Sequence, residues 1–137
     1  MLHVESIVVR RDRIVAVVRM DEGAPRFTSR ALVDRILERF PDLPFHSCVN
    51  AKGPQFGDVM DHTSIPHVLE HLVIDLQADV YTRSNAGGAS SGGSPLLTGV
   101  TRWVDREKGI AQIQVSFLDD LVALAAIREA VDFLNAL

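Results

Sequence analysis

The sequence predicts an α+β fold: a two-layer domain with an antiparallel sheet and helices packed on one of its faces. Three observations point there. Residues 3–10 and 14–20 are rich in β-branched side chains and flank Arg11-Asp12-Arg13, the pattern of a hairpin. Residues 96–104 and 110–117 form a second such pair, in which Gln112 and Gln114 alternate with Ile113 and Val115, so one face is apolar. Between and after these pairs lie stretches with helical spacing of apolar residues, giving the order ββαβαββα.

Each element has local reasons. Asp21-Glu22-Gly23-Ala24-Pro25 breaks the first hairpin. Thr28 or Ser29 then caps a helix in which Leu32, Val33, Ile36, Leu37 and Phe40 share a face, and Pro41 stops it. Residues 45–50 form a short extended piece, and residues 51–61, with Gly53, Pro54 and Gly57, form a loop. Thr63 or Ser64 caps the central helix, and Pro66 fits its first turn, where N–H groups lack partners. Residues 84–95 are a glycine/serine stretch expected to be a flexible surface loop; it lacks a P-loop lysine and a dinucleotide-binding glycine spacing. Asp119-Asp120 opens the last helix, residues 121–134, with acidic groups at its positive end.

Composition narrows the class. A length of 137 residues predicts one domain, 1–137, with a real core. The hydrophobic fraction of 47% and charged fraction of 23% are ordinary for a globular protein. A net charge of −4 without a lysine or arginine stripe argues against nucleic acid. No apolar run is long enough to span a membrane, and no signal peptide opens the chain. The lone Cys48 excludes an internal disulfide and fits a cytoplasmic protein. A homo-oligomer is compatible with all of this.

The chemistry concentrates in the central helix. His67 and His71 stand one turn apart with Glu70 beside them, within an arc of about 100°. The remaining positions are apolar: Ile65, Val68, Leu69, Leu72, Val73, Ile74 and Leu76. Three ionisable groups in such a setting need partners, and a divalent metal is one. His-x-x-Glu-His is the inverted zincin arrangement, two histidine ligands and a glutamate placed to handle water. A catalytic zinc takes three protein ligands; Cys48 is the best third candidate, with His46, His62 and Glu129 open. Asp75 and Asp61 are candidates to hold the second ring nitrogens. The competing structural reading is a buried cluster in which the histidines pair with Glu70, with Cys48 a small buried residue. His46 and His62 then read as loop histidines, His3 as a strand start, Trp103 and Phe117 as core, and Arg102 as solvated.

Several stretches together resemble the N-terminal domain of cyanophycin synthetase: Phe40-Pro41-Asp42-Leu43 leading to His46-Ser47-Cys48; the helix from His67 through Glu70-His71 to Asp75-Leu76-Gln77; Thr101-Arg102 followed by Gly109-Ile110-Ala111-Gln112-Ile113; and the closing helix around Ala125 to Val131. The resemblance implies His67 and His71 as metal ligands, Glu70 as catalytic base, and Cys48 at the family's upstream cysteine position. It implies zinc as cofactor and a peptide or amino-acid polymer of aspartate and arginine as substrate. For a chain of this length it implies a free-standing homologue without the ATP-grasp and Mur-ligase-like modules. Residues 84–95 depart from it, replacing a shorter family segment. S-ribosylhomocysteine lyase is also similar in its His-x-x-Glu-His and cysteine, but there the cysteine follows the helix.

Two functions follow as expectations. The first is a metal-dependent hydrolase of amide or isopeptide bonds acting on a cyanophycin-like polymer. The second is a non-catalytic polymer- or partner-binding subunit that works with a separately encoded ligase of the Mur-ligase or ATP-grasp type.

Overall fold

The computed structural model describes residues 1–85 and 96–137. Within them, six strands and three α-helices follow the order ββαββαββα. Strands β1 (Leu2–Val9), β2 (Arg13–Met20), β5 (Gly99–Asp105) and β6 (Ile110–Ser116) form a fully antiparallel sheet in the order β1-β2-β6-β5. The two hairpins thus meet at β2 and β6, the central strands. These carry the alternation read from the sequence: Ile14, Ala16, Val18 and Met20, with Ala111, Ile113 and Val115, are buried on one face.

The second and third helices cover that face, and the first contributes Val33 and Ile36 to the same core. Helix α1 (Arg30–Arg39) is capped by Ser29, whose hydroxyl accepts the Leu32 N–H. Helix α2 (Ile65–Asn85) packs against β5, β6 and α3. Helix α3 (Asp120–Ala136) starts at Asp119, which accepts the Leu121 N–H, and lies over β1 and β2. Val68, Leu69, Leu72 and Val73 of α2 are sealed completely. A helix that is apolar around most of its circumference must be enclosed on several sides, and α2 is. The α+β, two-layer class is therefore the one the strand pairs predicted. Among the described residues no helix is long and apolar enough to cross a membrane.

Three details differ from the sequence expectation. The first is an extra strand. Residues 51–61, expected to be loop, contain β4 (Gly53–Gln55), which pairs with β3 (Ser47–Asn50) in a separate small sheet. The Asn50 side-chain oxygen accepts the N–H groups of Lys52 and Gly53 and closes the tight turn between them. Short 3₁₀ turns at Leu43–Phe45, Phe56–Asp58 and Met60–His62 surround this sheet, and Leu43, Phe56 and Met60 plug it into the core. Second, β3 starts at Ser47 rather than at residue 45, because that turn occupies Leu43–Phe45. Third, α2 runs through Ser84 and Asn85, the first two residues of the expected flexible loop; the rest of that stretch, residues 86–95, lies outside the described residues.

Candidate metal centre

Two elements build the site: the N-terminal half of α2 and the small β3–β4 sheet folded against it. The chain entering α2 is fixed first. Buried Thr28 donates its hydroxyl to the Met60 carbonyl and accepts the Thr63 N–H. The Ser64 hydroxyl accepts the His67 N–H, so Ser64 acts as the cap and the Thr63 side chain is free for other work. His67 and His71 then project from successive turns of α2 toward Cys48 on β3.

Cys48, His67 and His71 each bring one donor atom to a common point, all within 4.8 Å of one another. Cys48 Sγ is 3.5 Å from His67 Nε2. The other ring nitrogens are occupied: His67 Nδ1 lies 2.8 Å from Thr63 Oγ1, and His71 Nδ1 lies 3.2 Å from His46 Nδ1. His46 Nε2 in turn lies 3.0 Å from Asp75 Oδ1. His71 Nε2, by contrast, is fully buried and has no hydrogen-bond partner among the described residues. A buried nitrogen left unpaired is costly unless something fills the space before it. Nitrogen, nitrogen and thiol donors together suit a borderline-soft divalent ion, so the cluster fits a metal.

Phe56 holds the imidazoles in place. Its ring stacks on His71 at 4.0 Å between centroids and meets His67 edge-on at 5.0 Å. Burial, reinforced by His67 and His46, lowers the His71 pKa to about 3, and burial lowers that of His67 too. Both rings are thus neutral at pH 7, the form that binds metal. The 3.6 Å approach of Glu70 Oε2 to His71 Nε2 is accordingly not an ion pair at that pH. Burial pushes the Cys48 thiol up.

Glu70 is almost completely buried beside the cluster. Burial raises its carboxyl above the usual range, while the Thr101 hydroxyl and His46 act the other way. Thr101 donates to Glu70 Oε1 at 2.6 Å. Gly99, two residues earlier on β5, makes room for it: a Cβ there would stand 2.7 Å from Glu70 Cγ and Oε2. Cys48, His67, Glu70 and His71 are among the residues that line a cleft of about 600 Å³ between β3 and β5, with His71 and Glu70 buried in its wall.

The other sequence candidates lie elsewhere or serve differently. His46 supports His71 rather than joining the three donors. His62 stacks on Phe27, and Glu129 pairs with Arg39. Asp61 pairs with Arg30, so Asp75 alone of the two acidic candidates takes part. His3 pairs with Asp21. Arg102 lines the cleft and donates to Gln112. Trp103 and Phe117 are half-buried against the core. Sequence reasoning missed Thr63 as a side-chain partner, together with Phe56, Gly99 and Thr101.

The fold and cluster arise from segments that span the chain, and a sequence profile covers the same breadth. That of the cyanophycin synthase-like N-terminal domain matches residues 16–137. The chain belongs to this family. The matched span runs from within β2 through α3 and so holds every residue of the cluster, while β1 and the start of β2 lie before it. No curated protein and no solved structure is significantly similar to the chain.

Proposed function

We propose that this member of the cyanophycin synthase-like N-terminal domain family is a zinc-dependent hydrolase of amide or isopeptide bonds, acting on a cyanophycin-like peptide polymer. The observation that carries the proposal is the buried His71 Nε2, without a hydrogen-bond partner among the described residues, grouped with His67 and Cys48 and 3.6 Å from Glu70 Oε2 at the wall of a cleft. A structural histidine cluster would instead close its hydrogen bonds internally.

Cys48, His67 and His71 would hold the ion. A bound zinc would supply a Lewis acid that polarises a carbonyl and acidifies water. The remaining chemistry belongs to the chain. Thr101 fixes one oxygen of Glu70, leaving Oε2 directed toward the cluster to accept a proton from the attacking water. Its raised pKa suits it to hold that proton and hand it to the leaving nitrogen. Thr63 and His46 keep Nδ1 of each imidazole engaged and aim both Nε2 atoms at one point. The open cleft favours turnover over a closed, purely binding role.

The test is metal analysis with a paired variant. Protein purified without a nickel column should contain about one zinc per chain. Glu70→Gln should keep the zinc and lose roughly 10²–10⁴-fold in cleavage of a cyanophycin-like polymer. Absence of stoichiometric metal, or undiminished cleavage by Glu70→Gln, would overturn the assignment. Zinc bound without polymer cleavage by the wild type would leave the polymer-binding subunit as the function.

A further inference from the structure

The cleft runs along a strand edge. β5 is the last strand of the sheet and pairs only with β6 among the described residues. The polarity of its outer edge follows from one bond. Ser116 N–H donates to the Thr98 carbonyl at 2.9 Å and Thr98 N–H donates to the Ser116 hydroxyl, so the main-chain groups of residue 98 face β6. Antiparallel alternation assigns the same character to Val100 with Gln114 and to Arg102 with Gln112. The N–H and C=O groups of Gly99 and Thr101 therefore point away from β6, toward the cleft. The other edge of β6 agrees: Phe117 N–H donates to the Asp12 carbonyl, so odd-numbered residues there bond to β2.

These two residues are also the ones that touch Glu70, Thr101 by its hydroxyl and Gly99 by the space its missing side chain leaves. Main-chain donors and acceptors that no strand among the described residues pairs thus stand beside the carboxylate and the cluster. The facing wall, Ser47 to Asn50, is itself a strand with its partner β4 on one side. An unpaired edge invites aggregation and is normally blunted, so one that no described strand pairs, beside a candidate site, is suited to pairing with a ligand.

We propose that the cleft binds an extended peptide by strand addition to β5, pairing the ligand's main chain with Gly99 and Thr101. The inference rests on the zinc hydrolase assignment and names how that site takes its substrate. Main-chain pairing supplies affinity that tolerates many side chains, while successive side chains of the ligand point alternately to opposite sides. A polymer with a bulky group on every residue fits such a groove only in part, through every second residue.

The experiment compares two probes on the zinc-loaded full chain: acetohydroxamate, and acetyl-tetraalanine hydroxamate, whose methyl side chains contribute little. The peptide probe should bind about tenfold or more tightly than acetohydroxamate. It should also slow amide hydrogen exchange at Gly99 and Thr101, leaving Val100 and Arg102, already bonded to β6, unchanged. N-methylation of the peptide's paired amides should abolish the gain. Equal affinity of the two probes, or tighter binding without protection at Gly99 and Thr101, would overturn strand addition and leave the metal assignment intact. Failure of acetohydroxamate itself to bind would instead overturn the zinc hydrolase assignment, and this inference with it.

Discussion

The two histidines of the cluster come from one helix, a single turn apart, yet they are held differently. His71 is sealed from solvent, stacked on Phe56, and backed by the His46–Asp75 chain. His67 is only half-buried, meets Phe56 edge-on, and rests on one hydroxyl, that of Thr63. In the proposed zinc centre Nε2 would face the ion, so His71 Nδ1–H would donate to His46 Nδ1 and His46 Nε2–H to the Asp75 carboxylate. A carboxylate at the end of the chain orients the ring and raises its basicity more than a neutral hydroxyl does. On the proposed assignment His71 would be the rigid anchor, and His67 the ligand that adjusts.

The largest test of this asymmetry removes the anchor. His71→Leu keeps an apolar partner for Phe56 but deletes the buried donor. It should abolish stoichiometric zinc in a protein that still folds, as read by metal analysis beside circular dichroism. Zinc retained at one per chain would show that the ion does not use His71.

The same difference predicts a pH dependence in the metal-free protein. The His71 pKa is about 3 in the folded state, against an ordinary value of 6.5. Between those values the unfolded chain binds the extra proton, so stability falls as pH drops from 6.5 toward 3. His67 acts in the same direction. Glu70, raised above 4.5, acts in the opposite one and offsets part of the loss. Urea unfolding of the apo protein should lose on the order of a few kcal/mol across that window, and His71→Leu should flatten most of the slope. An unchanged slope in the variant would place the sensitivity elsewhere.

Much of this was legible in the sequence. His67, Glu70 and His71 share a helix face by spacing alone, and Asp75 follows His71 at the next i+4 step. His46 and Cys48 are two apart where the chain becomes extended, so both side chains can reach the same side. The two hairpins and three helices were readable from period and caps. What was not readable depends on contacts between distant segments. Phe56 sits in a stretch whose glycines and proline signal a loop, and only its packing between β3 and α2 makes it a clamp. Gly99 and Thr101 reach Glu70 because β5 is the strand that flanks α2, a matter of sheet order rather than local pattern. The strand β4 escaped because three residues pair through an asparagine-closed turn too short to show a period.

Smaller effects should come from the groups behind the ligands. His46→Ala removes the partner of His71 Nδ1 and leaves Asp75 unpaired beside it. Zinc affinity should fall about 10–100-fold, measured by competition with a chromophoric chelator. Asp75→Asn should act in the same direction and less strongly, since the amide still accepts a hydrogen bond without the charge. His46→Gln, whose oxygen can accept from His71 and whose amide can donate to Asp75, should restore part of the affinity; a merely steric role for His46 would give no such rescue. The visible spectrum of the cobalt-substituted protein should report the same order through changes in ligand geometry.

The weakest effect should be that of Thr63→Val. The substitution is nearly isosteric, leaves the Ser64 cap in place, and removes a single neutral hydrogen bond from a ring that has solvent nearby. A bond of that kind contributes about 0.5–1.5 kcal/mol, so zinc affinity should fall by roughly tenfold at most. Thr63→Val weaker than His46→Ala sustains the anchor-and-adjuster description. The reverse order would mean that the half-exposed ligand, not the buried one, limits metal retention, and that the His46–Asp75 chain serves packing alone.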